Sequence, residues 1–249
     1  MTIRFLAAPS MSGTTAFLRA FENNPHVKAV YYQPLKSSLR ETGKVSYDFL
    51  NLDKEYPEDI YIVKDTIGKA YPTSSIAEMT YKLYRNASDL EQARYIFLFR
   101  NPFNHYKSNQ KWDLNMNDFK GSYFSVYEQA IKAKKLSDRV SILTLECLAN
   151  HPERVFQLIC KKWGIPYHDN MMDWKLPFGT KLLASDNEMQ LISDFQGHFD
   201  KIMTSKTFAY RHKSIEALNL SSDEEKEIAN NVLPVYQEIQ KLTAIDFPL

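Results

Sequence analysis

The sequence predicts one α/β domain over residues 1–249, built on a parallel sheet with helices on its faces. Three observations predict it. Short apolar runs rich in β-branched and aromatic residues alternate with longer helix-like stretches, the pattern of strands joined by right-handed crossovers. The first run passes through a turn of small residues straight into a helix-like segment. The chain, 249 residues with 44% apolar and 13% aromatic content, can bury one sizeable core.

Taken in order, the strand candidates are Ile3–Ala8, Val27–Tyr32, Ile60–Lys64, Tyr95–Arg100 and Val140–Leu145. Each is short and apolar, as strands buried on both faces are. The helix candidates are Thr14–Asn23, Ile76–Asn86, Pro102–Lys111, Gly121–Leu136, Pro152–Trp163, Asn187–His198 and Ser222–Leu242. Pro102 suits the first helical position. Ser222 with Glu225 three residues later reads as a capping box. Leu35–Glu58 is polar with weak periodicity and reads as an excursion over the sheet edge that can serve as a lid. Trp174–Ser214 also reads as largely irregular.

The totals exclude several function classes. A formal net charge of +1 gives no support for bulk nucleic-acid binding, which needs a strong basic excess. No run reaches the about 18 apolar residues of a membrane span. The N-terminal apolar stretch is too short for a signal peptide. Cys147 and Cys160 lie in apolar contexts without metal-ligand spacing, so they read as buried free thiols, which fits a reducing cytoplasm. The histidines are scattered and no metal site is expected.

In a parallel sheet the site lies beyond the carboxyl ends of the strands. After the first strand comes Pro9-Ser10-Met11-Ser12-Gly13-Thr14-Thr15, the layout of a phosphate-binding loop, where backbone N–H groups and a helix N-terminus face an anion. A Walker A loop would need a lysine before the final hydroxyls, and none is present. The plainer reading is a helix with an ordinary Ser/Thr cap. After the third strand comes Lys64-Asp65-Thr66. After the fourth, Arg100-Asn101-Pro102 leads to Ser108, eight residues beyond the arginine. An arginine at a strand end and a serine two turns into the next helix can converge on one phosphate, because the guanidinium fork matches an oxyanion. Taken singly, Arg100 reads equally as a carboxylate partner, and Lys64–Asp65 as a structural ion pair.

In combination and order these pieces resemble the sulfotransferase superfamily that uses 3′-phosphoadenosine 5′-phosphosulfate (PAPS), in particular its small bacterial branch. The residues that carry the resemblance are Ser12-Gly13-Thr14-Thr15-Ala16-Phe17, Lys64-Asp65, Arg100 with Ser108, and Trp163-Gly164-Ile165-Pro166-Tyr167. It implies a sheet of order 2-3-1-4-5. It also implies PAPS held at the 5′ end by Ser12, Gly13, Thr14 and Thr15 and at the 3′-phosphate by Arg100 and Ser108, with Arg211 as a looser match. No metal is implied.

Two departures stand out. The family carries a lysine or arginine where this chain has Met11, and many members carry a histidine where this chain has Thr66. Lys64 is then the expected substitute cation and Asp65 the expected general base, with Glu146 and His105 as further candidates. The expected reaction is sulfuryl transfer to a hydroxyl or amine of a small acceptor. Aromatic-rich segments (Leu35–Glu58, Lys111–Tyr123, Trp174–Phe208) build either a partly apolar acceptor pocket or ordinary core. The alternatives are other chemistry on a different anionic substrate and a nucleotide-binding module without turnover. The sequence carries no signal for oligomeric state.

Overall fold

The computed structural model describes residues 3–56, 58–69, 74–194, 204–208 and 213–249. Five strands form its parallel core: β1 (Ile3–Pro9), β2 (Ala29–Tyr32), β3 (Tyr61–Ile67), β4 (Ala93–Phe99) and β5 (Val140–Thr144). A sixth, β6 (Leu182–Leu183), joins the edge, giving the order β5-β4-β1-β3-β2-β6. The expected order is present, and the strand count is corrected to six. A two-residue strand inside a polar segment has too little pattern to be read in advance.

The helices are α1 (Thr14–Glu22), α2 (Pro34–Thr42), α3 (Leu52–Glu55), α4 (Ala87–Gln92), α5 (Pro102–Gln110), α6 (Met116–Leu136), α7 (Leu145–Asn150), α8 (Pro152–Trp163), α9 (Asp186–Asp194), α10 (Ser222–Asn231) and α11 (Leu233–Asp246). Alternate residues of each strand face opposite sides of the sheet. Leu6, Ala8, Ile62, Ile96 and Leu98 pack with α1 and α8 through Phe17, Phe21, Phe156 and Trp163. Phe5, Ala7, Val63, Tyr95 and Phe97 pack with α6 and the C-terminal helices through Phe119, Tyr123, Ile228 and Ile239. Both cores are fully enclosed, as a parallel sheet requires.

Four expectations are corrected. Leu35–Glu58 is not a bare excursion: it holds α2, which starts at Pro34 and stops at Gly43 in the left-handed region (φ 74°). Ile76–Asn86 is not a helix: a short 3₁₀ turn spans Ile76–Met79, and α4 begins at Ala87, capped by Asn86. The capping box of α10 lies one residue earlier than expected, Ser221 with Glu224, and the helix breaks at Val232 just before Pro234. Strand β3 runs three residues past Lys64 to Ile67. The expected helix Asn187–His198 is described only to Asp194. Cys147 and Cys160 are free thiols, the second buried. Among the described residues no helix is long and apolar enough to cross a membrane.

Candidate functional site

The loop after β1 is shaped by two left-handed residues, Met11 (φ 70°) and Gly13 (φ 85°). Glycine is needed at the second: a Cβ there would lie 2.8 Å from Leu145 Cδ2. This turn brings the chain from the sheet into α1, so the first N–H groups of the helix face the loop's concave side. Ser12 is fully buried and its Oγ has no hydrogen-bond partner among the described residues. Thr14 and Thr15 are buried, and the Thr15 side chain is hydrogen-bonded to Tyr32. Beneath the loop the His105 ring Nε2 meets the Ser10 carbonyl. Burial, with the Arg100 charge nearby, pulls His105 down to about 3, so the ring is neutral and props the backbone.

Arg100 and Ser108 meet. The Arg100 Nη1 donates to Ser108 Oγ at 2.7 Å and to the Met11 carbonyl at 3.2 Å. This convergence follows from local chemistry. Strand β4 ends at Phe99, Asn101 caps α5 by accepting from the N–H groups of Phe103 and Asn104, and Pro102 opens the helix. Ser108 then lies two turns along, on the side of the strand end. Both side chains are half-buried. The pair therefore joins the loop after β1 to the helix after β4. Arg211 lies outside the described residues. Lys213, two residues on, is tied to α5, with Asn104 Nδ2 donating to its carbonyl at 3.0 Å and its N–H donating to Asn104 Oδ1 at 3.2 Å.

Lys64 and Asp65 do not act side by side. They are consecutive residues of a strand, so their side chains leave on opposite faces. Lys64 Nζ sits 3.9 Å from the centroid of the Tyr32 ring, a cation–π contact. Burial, with Lys36 nearby, holds its ammonium well below the usual lysine range.

The Asp65 carboxylate is engaged in structural hydrogen bonds. It is fully buried and each oxygen is occupied: Oδ2 accepts from the N–H groups of Leu35 (2.7 Å) and Lys36 (3.2 Å), and Oδ1 accepts from Thr66 N–H (2.9 Å) and the Tyr81 hydroxyl. It caps the N-terminus of α2. Glu146 is likewise structural, accepting from the Asn101 N–H at 3.0 Å and the Tyr236 hydroxyl at 2.7 Å.

Lys36 was not singled out by the sequence. It is 1% exposed, and its Nζ donates to the Gly68 carbonyl at 2.7 Å and to Ser10 Oγ and Thr66 Oγ1, both at 3.3 Å. Pro34 at a helix start and Gly43 at its end were the available signals, because they place Lys36 in the first turn of a helix after β2.

A cavity of about 350 Å³ lies beyond β2, between α2 and β6. Tyr31, Tyr32, Phe49 and Leu183 give it apolar walls, and Ser37 and Ser185 are joined across it at 2.6 Å. Tyr32 belongs both to this cavity and to the contacts of Thr15 and Lys64. The cavity draws on two of the expected acceptor segments, 35–58 and 174–208.

No protein-family model and no curated protein matches the chain. Solved structures do. The sulfotransferase domain of the Synechococcus PCC 7002 olefin synthase superposes with a TM-score of 0.53 at 15% identity, covering 97% of this chain and 94% of that one. A mouse sulfotransferase complexed with PAP superposes at 0.48 with 13% identity, covering 98% and 86%. The sulfotransferase domain of the curacin biosynthetic pathway gives 0.46 with 13% identity, covering 87% and 95%. The first of these, which spans nearly the whole of both chains, identifies the fold of this protein as the sulfotransferase fold.

Proposed function

We propose that the chain is a PAPS-dependent sulfotransferase acting on a small hydroxyl or amine acceptor. The observation that carries this reading is the Arg100–Ser108 contact at 2.7 Å, reached from a strand end and the next helix and linked to the Met11 carbonyl of the anion loop. Two anion-binding elements are thereby set side by side, as a ligand with phosphate at both ends requires. In this reading Ser12, Gly13, Thr14 and Thr15 hold the 5′-phosphosulfate through backbone N–H groups and hydroxyls. Arg100 and Ser108 hold the 3′-phosphate by charge-assisted hydrogen bonds. Arg211 is proposed as a further partner of that phosphate.

The reaction breaks the bond between sulfur and the bridging phosphate oxygen. It forms a bond from sulfur to the acceptor oxygen or nitrogen, releases 3′,5′-ADP and frees the acceptor's proton. Such transfers depend on positioning and on stabilising charge at the leaving oxygen. Lys64 is assigned that charge, since its ammonium has no ion-pair partner among the described residues and lies beside Tyr32, which touches Thr15. The cavity beyond Tyr32 is assigned to the acceptor; its tyrosine, phenylalanine and leucine walls suit a partly apolar molecule.

Calorimetry with 3′,5′-ADP tests the donor half. Arg100→Ala is expected to weaken binding by about 1.5–3 kcal/mol, the loss of a charge-assisted hydrogen bond. Unchanged affinity removes the assignment. Met11, an apolar side chain at the crest of the loop, favours a second reading: a nucleotide-binding module of the same fold without turnover. Wild-type protein that binds 3′,5′-ADP but transfers no labelled sulfate from PAPS to any acceptor in a metabolite extract would establish that reading instead.

A further inference from the structure

Three cations and three carboxylates gather around the end of β3, all of them buried except the half-buried Arg40. They are Lys36 and Arg40 on α2, Lys64 and Asp65 on β3, Glu78 on the 3₁₀ turn and Glu188 on α9. Their pairing is uneven. Arg40 binds Glu78 through two hydrogen bonds, at 2.8 and 3.2 Å, and reaches Glu188 as well. Asp65 is consumed as the cap of α2. That leaves Lys36 with one long ion pair, 3.9 Å to Glu78, and Lys64 with none among the described residues. Neither buried ammonium thus has a close carboxylate partner among the described residues, a costly arrangement unless an anion completes it.

The loop supplies the other half of the observation. Lys36 Nζ is bonded to Ser10, which opens the loop, and to Thr66 and Gly68, which close β3. All three acceptors are neutral. Within the same loop Ser12 Oγ is buried without a partner among the described residues. A buried ammonium therefore lies against a turn that holds an unanswered hydroxyl and the N–H groups opening α1. The Asp65 cap fixes this placement: by accepting from the N–H groups of Leu35 and Lys36 it sets the register of the first turn of α2, and so where the Lys36 side chain enters.

We propose that Lys36 is the cation of the anion loop, a positioning residue that acts through Ser10 and favours ligands with two linked anionic groups, a phosphosulfate or a pyrophosphate, over a single phosphate. This deepens the sulfotransferase reading and rests on it for the identity of the donor, while Lys64 keeps the role assigned above. Burial pulls the Lys36 ammonium down to about 8; Arg40 also lowers it, and Glu78, Asp65 and Glu188 raise it, while Lys36 in turn lowers Lys64. The charge is present at neutral pH, and a bound dianion would hold the proton more firmly.

The test titrates PAPS, 3′,5′-ADP and inorganic pyrophosphate into the wild type, Lys36→Met and Lys36→Arg at about pH 7 and about pH 9, on either side of the lysine's titration. Lys36→Met is expected to lose about tenfold or more in affinity for PAPS and pyrophosphate, the weight of one charge-assisted hydrogen bond, with a smaller loss for 3′,5′-ADP. Lys36→Arg should restore binding and remove the fall in pyrophosphate affinity that the wild type shows at the higher pH. Equal losses for all three ligands, or none, would make Lys36 a brace for the loop and overturn the proposal. Should Lys36→Met fail to fold, the pH response of wild type against Lys36→Arg decides, and a flat wild-type response overturns it. A wild type that binds pyrophosphate but not PAPS would strike the sulfotransferase reading and leave Lys36 standing.

Discussion

The two sides of β1 are built on different logic. On the β4 side, the Arg100–Ser108 contact comes from residues near in sequence: strand end, Asn cap, proline start, serine two turns on. On the β3 side, Lys36, Asp65, Glu78 and Glu188 come from four separate segments and meet only when the chain is folded. The β4 side presents one half-buried pair, Arg100 and Ser108. The β3 side buries Lys36, Lys64, Asp65, Glu78 and Glu188 and leaves only Arg40 half-buried among the six charges named above. A grip at the rim can bind a ligand without much effect on folding, whereas charges in the interior tie binding to stability.

That contrast can be broken at several points. The largest effect is expected from Lys64→Met, which should lower turnover by about 10²–10³-fold, by analogy with the loss of an oxyanion donor, while 3′,5′-ADP affinity holds. Full activity in that variant would move the chemistry off the β3 side. Asp65→Ala should instead show itself in stability, with a loss of about 3 kcal/mol or more, since several buried donors lose their acceptor together. Denaturant unfolding checks this. If stability were unchanged and only turnover lost, Asp65 would be a base after all. On the loop between the two sides, Met11→Lys should leave activity equal or higher, because it adds a cation carried by the turn's own backbone; sulfate-transfer assays read the outcome.

The smallest effect is a pH response of the ligand-free protein. Lys36 titrates near 8 in the folded chain against 10.5 for an ordinary lysine. Above about pH 8 the unfolded chain binds more protons, so stability should rise with pH until the buried tyrosines begin to weigh in near about pH 10. Anion affinity should fall over the same range. A melting temperature that drops from about pH 8 to 9.5 would contradict the assignment of Lys36 as a depressed, buried lysine.

The same division governs what could be read in the sequence. The turn after β1 and the Arg100–Ser108 contact were legible because turn residues, a proline and fixed spacing are local signals. Asp65 was misread because Lys64 was taken as the strand's last residue. Once β3 runs on to Ile67, strict alternation separates the two side chains. Lys36 was missed because Leu35–Glu58 was taken as irregular, although Pro34 and Gly43 bracket a nine-residue helix. The pairing of Glu78 and Glu188 with Arg40 had no local signature, since contacts between distant segments leave none. The helix Ser222–Leu242 was found but not its break, because amphipathic spacing continues across Val232 while Pro234 restarts the backbone.

The edge strand β6 has a consequence for how such a protein can change. Only two residue pairs, Val30–Leu182 and Tyr31–Leu183, hold it to β2, and Leu183 remains 47% exposed. The cavity wall it contributes is therefore hung on the sheet rather than woven into it. Residues 183–185 can be recut by mutation at little cost to the core, whereas the opposite wall, Tyr32, cannot move without disturbing Thr15 and Lys64. In the proposed reading, acceptor preference would have one side free to drift and one tethered to the loop after β1, so selection for new acceptors would write its record at the edge of the sheet.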